Sequence, residues 1–206
     1  METLDDYLTA LASSAATPGG GSAAAIVAAS GAALLSMVGR IYTESPKYAP
    51  YHEMVSRIVA SADALRADLL TARKRDEKAF ERVMTAHALP KRNDAEKAAR
   101  AASVETALGA AAAEPLHAAG LALDVLRFST QLVTVPNKNL MSDIGCAAEF
   151  AYAGLVACAY NVRINHRFMR DTEAIAQQAT LLARYEDEAA TLLAAVRRSV
   201  GEALAR

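Results

Sequence analysis

Two aspartates offer the clearest chemistry in this 206-residue chain. Asp76 stands inside a long helical pattern, three residues before the apolar pair Ala79-Phe80. Asp143 closes the run Asn139-Leu140-Met141-Ser142-Asp143. With Asn139 as an N-cap, Ser142 and Asp143 fall in the first turn of a helix. A partly buried carboxylate there can move a proton or hold the adjacent N–H groups of a heterocycle. Each aspartate also has a plainer reading. Arg73, Lys74, Arg75 and Glu77 surround Asp76 as they would on a solvated face. An Asn cap followed by an acid stabilises a helix start with no ligand at all. Residue types alone leave both readings open.

The second feature is Pro18-Gly19-Gly20-Gly21-Ser22. Three glycines let another group approach the backbone closely, and a helix start offers free N–H groups to an anion. The run lacks the Lys and the spacing of a P-loop, and no strand precedes it. A turn and a binding loop fit it equally. Lys47-Tyr48 sits between Pro46 and Pro50, in a connection of the kind that often carries function. Asn161-Val162-Arg163-Ile164-Asn165 puts polar side chains near the end of an apolar helix, where solvent is the plainer explanation. The four histidines are scattered, with no i, i+4 pair and no Ser or Cys partner, so a metal site is not expected.

These residues need helices to hold them. Leu4, Tyr7, Leu8 and Leu11 predict a short amphipathic helix over 3–14. Ser22 is the expected N-cap of an uncharged helix reaching about Tyr42. A long helix follows over about 51–88 and ends at Leu89-Pro90. Asp94 is the expected cap of a helix over about 95–133, kinked or split at Pro115. Asn139 caps the next helix, to about Phe168, and the last covers about 171–204. No stretch alternates with the period of a strand. The expected fold is all-α, a single domain over 1–206: a bundle of about six helices with the small-residue helix inside.

Composition agrees. There are 49 Ala, the best helix former, and 53% of residues are hydrophobic. The net charge of -1 and the absence of Trp argue against a nucleic-acid partner. The short basic runs, Arg73-Lys74-Arg75 among them, read as solvated helix faces. The uncharged stretch from Ala23 to Gly39 is Ala-, Ser- and Gly-rich and short of a membrane span, so a buried helix explains it better. Cys146 and Cys158 lie about 18 Å apart along one helix, too far for a disulfide. A reducing, cytoplasmic location is expected.

Taken in order, these pieces resemble the cyclodeaminase/cyclohydrolase family. The pieces are Tyr7-Leu8, Thr17-Pro18-Gly19-Gly20-Gly21-Ser22, Lys47-Tyr48, Asp76-x-x-Ala79-Phe80, Leu89-Pro90-Lys91, Glu114-Pro115-Leu116, Asn139-x-x-Ser142-Asp143 and Asn161-Val162-Arg163-Ile164-Asn165. The resemblance covers nearly the whole chain. It departs at Thr85-Ala86-His87-Ala88, where relatives more often carry a Tyr, and before Asn139, which is less Gly-rich than usual. It implies a homodimeric helical bundle acting on the one-carbon unit of tetrahydrofolate. The tetrahydrofolate derivative is substrate, and no prosthetic group or metal is implied.

The expected reaction is hydrolysis of 5,10-methenyltetrahydrofolate to the 10-formyl species, with cyclodeamination of 5-formiminotetrahydrofolate as the alternative. A non-catalytic folate-binding or assembly protein is the rival of another class. Asp76 and Asp143 would share the acid/base and pterin-binding roles, and Lys47 would meet the folate carboxylate or assist proton transfer. Pro18, Gly19, Gly20, Gly21 and Ser22 would form the loop against the flat ring. Asn139, Ser142 and Asn161 would orient the substrate.

Overall fold

The computed structural model describes residues 2–205. Among them there are six α-helices: α1 (Leu4–Leu11), α2 (Gly20–Glu44), α3 (His52–Ala88), α4 (Asp94–Leu132), α5 (Met141–His166) and α6 (Thr172–Leu204). Short 3₁₀ turns over Pro46–Tyr51 and Lys138–Leu140 lead into α3 and α5.

Helix starts differ from the sequence reading in three places, each for a local reason. Thr3 and Asp6 form a reciprocal capping box that begins α1, and the helix stops at Leu11 rather than residue 14. Gly19, not Ser22, is the N-cap of α2, because the Ser22 hydroxyl is taken by Glu77 across the bundle. Asn93, not Asp94, caps α4. Asn139 does not cap α5. The Asn137 side chain accepts from the Asn139 N–H and draws 138–140 into a 3₁₀ turn, so Leu140 takes the cap position.

Packing follows from side-chain size. Helix α2 lies against α3 and α5, with α4 beneath. It is antiparallel to α5, and the two backbones nearly touch. A Cβ on Gly31 would stand 2.7 Å from the Ala147 carbonyl oxygen, and one on Gly154 2.9 Å from that of Ala24. Leu35, Val55, Ile58, Leu123, Leu126 and Ile144 fill the core around this crossing. Helix α6 docks through Leu182, Ala189, Leu193 and Val196. Exposed bidentate pairs such as Arg163–Glu186 and Arg197–Glu149 trim its edges, each worth about 1 kcal/mol or less.

The small-residue helix is not enclosed. One stripe of α2 faces outward: Val27, Ser30, Leu34, Met37 and Ile41, with Leu34 half-buried. Its spacing of three and four residues is that of a coiled-coil seam. The neighbouring α5 shows a matching open stripe through Cys146, Phe150, Ala153, Tyr160 and Ile164. Both helices rest on α4, so the faces turned away from it lie side by side. The segments Gly20–Glu44 and Lys138–His166 are long and apolar enough to cross a membrane by length and composition. This corrects the expectation that the uncharged stretch falls short of a span. Of their most apolar windows, 61% and 39% respectively are buried against the other helices.

The crossing makes a contrast. Gly31→Val must force two backbones apart and should cost about 1–3 kcal/mol or more. Gly109→Ala meets nothing within 4 Å and should add about 0.5–1 kcal/mol through helix propensity. Urea unfolding followed by circular dichroism reads both.

Candidate functional site

A cavity of about 410 Å³ opens where α2 begins, between the 16–21 segment, α3, α4 and the end of α5. Its size suits a small-molecule ligand. The walls are mostly apolar: Phe80, Val83 and Met84 from α3, Leu108 from α4, Ile164 and Phe168 from the end of α5.

Asp76 lies in this cavity, half-buried. The exposed-face reading of its neighbourhood is overturned. Its carboxylate packs flat against Gly21, where a Cβ would stand 2.7 Å from the Asp76 Cγ. Gly21 is therefore needed for close approach. Burial pushes the Asp76 carboxyl up to about 6. The Ser22 backbone N–H, one of the free donors in the first turn of α2, opposes that rise, while Glu77 and Glu114 add to it. Burial, with Asp76 close by, pushes the Cys158 thiol up to about 12.

Two amides join Asp76 and Thr17 in the polar lining. The Asn161 Nδ2 donates to the Ala157 carbonyl at 2.9 Å. The Asn165 Nδ2 donates to the Asn161 carbonyl at 2.8 Å and to the Ala111 carbonyl at 3.0 Å. The last acceptor has a covalent cause. Ala111 lies four residues before Pro115, which has no N–H to give it. Helix α4 runs on through Pro115 without ending, and the carbonyl so freed anchors Asn165 at the cavity wall. Both N–H groups of Asn165 are committed, so it turns only its oxygen to a ligand, while Asn161 keeps one N–H beside its oxygen. The cavity thus presents a carboxylate, two amide oxygens and one amide N–H. His87 is the one basic side chain among its lining residues, and Arg100 from α4 holds it at 3.0 Å through the His87 carbonyl. Such a wall recognises a flat, donor-rich or cationic ring.

The predicted residues divide into two groups. Gly19, Gly20, Gly21, Asp76 and Asn161 come together here. Pro18 lies beside them in the loop without lining the cavity. Ser22 is fully buried behind it, with its hydroxyl committed to Glu77. Asn139, Ser142 and Asp143 stand at the opposite end of α5, with Asp143 about 27 Å from Asn161 along the helix at ~1.5 Å per residue. Lys47 follows the far end of α2 and is exposed, with its Nζ 5.3 Å from the Tyr48 ring centroid. No single chain brings Asp76 and Asp143 together.

Sequence reasoning missed Asn165 as a lining residue, and Phe80, Met84 and His87 with it. The last three recur at helical spacing from Asp76, a signal that was available. Arg73, read as part of a solvated run, is almost fully buried against Tyr7. Among the described residues no three His, Cys, Asp or Glu side chains converge as a metal cluster.

Comparison with known proteins places these features. The family described as formiminotransferase-cyclodeaminase matches residues 3–183. A methenyltetrahydrofolate cyclohydrolase of Methylorubrum extorquens is 40% identical over 170 residues, 82% of each chain. A formimidoyltransferase-cyclodeaminase of Sus scrofa is 31% identical over 165 residues, 80% of this chain, which spans only 30% of that longer protein. The crystal structure of a formiminotetrahydrofolate cyclodeaminase from Thermotoga maritima superposes with a TM-score of 0.88 at 26% identity, covering 97% of this chain and 96% of that one.

The raised Asp76 carboxyl has a consequence for stability. Folding favours its protonated form, so its contribution is complete below about 3.8 and is lost as the pH rises through about 6. Asp76→Asn should therefore raise Tm at pH 8 and leave it nearly unchanged at pH 4. Equal Tm changes at the two pH values would contradict the burial argument.

Proposed function

The chain belongs to the formiminotransferase-cyclodeaminase family, and from that premise we propose that it is a folate one-carbon enzyme hydrolysing 5,10-methenyltetrahydrofolate to 10-formyltetrahydrofolate. The observation that carries this reading is the cavity wall: one half-buried carboxylate and two amide oxygens facing an apolar slot. The methenyl group is a cationic amidinium, and the pterin edge carries N–H donors. Both match the Asp76 carboxylate and the two amide oxygens. Similarity to the cyclohydrolase over 82% of both chains favours hydrolysis over deamination.

In this mechanism Asp76 is the acid/base group. Its carboxylate takes a proton from water as the water oxygen bonds to the amidinium carbon. The bond from that carbon to N5 then breaks, and Asp76 returns the proton to N5. The remaining hydroxyl proton leaves as the formyl C=O forms on N10. A carboxyl held near 6 exists in both forms close to neutrality, as a group that must accept and return one proton requires. The glycine loop admits the flat ring, and Asn161 and Asn165 accept from its donors. The two free cysteines, one of them exposed, suit a reducing, cytoplasmic location.

Asp143 and Lys47 enter through a homodimer. The open stripes of α2 and α5 form a long, nearly uncharged face, of the kind that marks a contact with another protein. A two-fold axis crossing α2 near Leu34 would lay each chain's Lys47 and Asp143 end over its partner's Gly20 and Asp76 end. Each site would then take Asp76 from one subunit, and Asp143, Ser142, Asn139 and Lys47 from the other.

Absorbance separates the chemistries. Enzyme-dependent loss of the methenyl chromophore is expected with 5,10-methenyltetrahydrofolate. Its appearance from 5-formiminotetrahydrofolate, with ammonia, would instead make the chain a cyclodeaminase. Subunit mixing separates the site models. Asp76→Asn and Asp143→Asn homodimers should each be inactive. Random re-association of the two should restore about a quarter of the wild-type sites, because only mixed dimers carry one intact site of two. No recovery on mixing would contradict the shared site, and an active Asp143→Asn homodimer would leave Asp143 outside it.

A further inference from the structure

Behind the cavity stands a second carboxylate whose contacts all run away from it. Glu77 follows Asp76 on α3, and its Oε1 accepts from the Ser22 hydroxyl at 2.6 Å. Ser22 has one hydroxyl proton and spends it there. In the 3.0 Å contact between the Tyr7 and Ser22 hydroxyls, Tyr7 must therefore be the donor. Tyr7 and Ser22 are both buried. One turn earlier on α3, the Arg73 guanidinium lies 4.7 Å over the Tyr7 ring. Its Nε is 3.6 Å from Glu77 Oε1, and its Nη2 donates to Glu2 at 2.6 Å. One connected network therefore links the N-terminal segment, α1, α2 and α3.

Ser22 is its pivot. The hydroxyl serves Glu77 while the backbone N–H of the same residue faces Asp76. Its neighbour Gly21 lies against the Asp76 carboxylate. A shift of the first turn of α2 would break the Glu77 contact and change the Asp76 environment together. A buried hydroxyl or carboxylate left without its partner is costly, so the turn is held firmly.

We propose that Glu77, through Ser22 and Tyr7, is the positioning residue for Asp76, locking the first turn of α2 so that α1 becomes part of the catalytic device without touching substrate. The proposal rests on Asp76 being the acid/base group of the folate reaction. Two consequences separate it from a merely structural role. The first is electrostatic. Asp76 is faced by Glu77 on its own helix, Glu114 from α4, the Cys158 thiol from α5 and the Ser22 N–H from α2, with His87 on the cavity wall and Arg73 turned away to Glu77 and Tyr7. Removing the Glu77 charge removes one of the two acidic neighbours that oppose Asp76 ionisation. The second is geometric. Removing the Tyr7 hydroxyl leaves every charge in place and loosens the turn.

The test compares Tyr7→Phe and Glu77→Gln with the wild type. The Asp76 carboxyl titration is followed by carbon NMR in the unliganded dimer, and kcat and KM are followed against pH. Glu77→Gln should lower the Asp76 midpoint by about half a pH unit and move the acidic limb of kcat/KM with it. Tyr7→Phe should lower kcat about tenfold with little change in KM and in the position of the limb. An unmoved Asp76 midpoint in Glu77→Gln, or wild-type kcat in Tyr7→Phe with the fold intact by circular dichroism, overturns the proposal. A midpoint that moves in Glu77→Gln, with no folate turnover by the wild type, supports the coupling and overturns the folate reading instead. If Glu77→Gln fails to fold, Ser22→Ala breaks the Glu77 and Tyr7 contacts with the backbone N–H and every charge kept, and should lower kcat as Tyr7→Phe does; wild-type kcat in it overturns the proposal.

Discussion

The near-contact of α2 with α5 governs the molecule. At Gly31 and Gly154 the two backbones approach so closely that neither position has room for a Cβ. Such an approach permits one relative register, because a slip would drive alanine or larger side chains into the opposite backbone. The register decides which residues meet. It sets Gly20 against Asn161 and carries Asn165 to the freed carbonyl of Ala111. The same antiparallel arrangement sends Asn139, Ser142 and Asp143 to the other end. Close packing at the middle of the bundle thus defines two chemically different ends.

The cavity end spends stability that the core supplies. A carboxylate held out of water destabilises the native state once it ionises, and an interior proline removes a hydrogen bond from α4. Neither feature helps folding. Both set the lining of the cavity: Asp76 as a carboxyl pushed up to about 6, and Asn165 as an amide whose N–H groups are committed elsewhere. Such local departures from what packing favours are where function is expected to lie. The surrounding alanine- and leucine-rich core compensates for them through burial on α2 to α6.

The open face of α2 and α5 connects the two ends. A helix this apolar is ordinarily covered on every side. Here one stripe is left uncovered along its length, beginning beside the cavity and ending near Asp143. Within the proposed dimer, covering that stripe and completing the site are one event. Assembly and catalysis would then share a single surface, and the distance between the aspartates in one chain becomes the reason for a second.

Helix class, number and approximate extent were legible in the sequence, because propensity and the three-to-four spacing of Val55, Ile58, Ala62, Leu65 and Leu69 act within one segment. So were the Gly19–Gly21 loop and Asp76 as residues worth watching. Helix starts at Ser22, Asp94 and Asn139 were misread because capping depends on which partner takes each side chain: Glu77 for Ser22, Asn137 for Asn139. The resemblance of ordered motifs pointed to folate chemistry but not to where each motif lands. Arg73 and Asp76 look alike in sequence as charged residues of one run. Only the arrival of Tyr7 on one and Gly21 on the other buries them. Local sequence determines local backbone, since those energies act over a few residues. The meeting of Asp76 with Gly21, and the separation of Asp76 from Asp143, were decided by the tertiary register of helices distant in the chain, set by the close packing of their small residues.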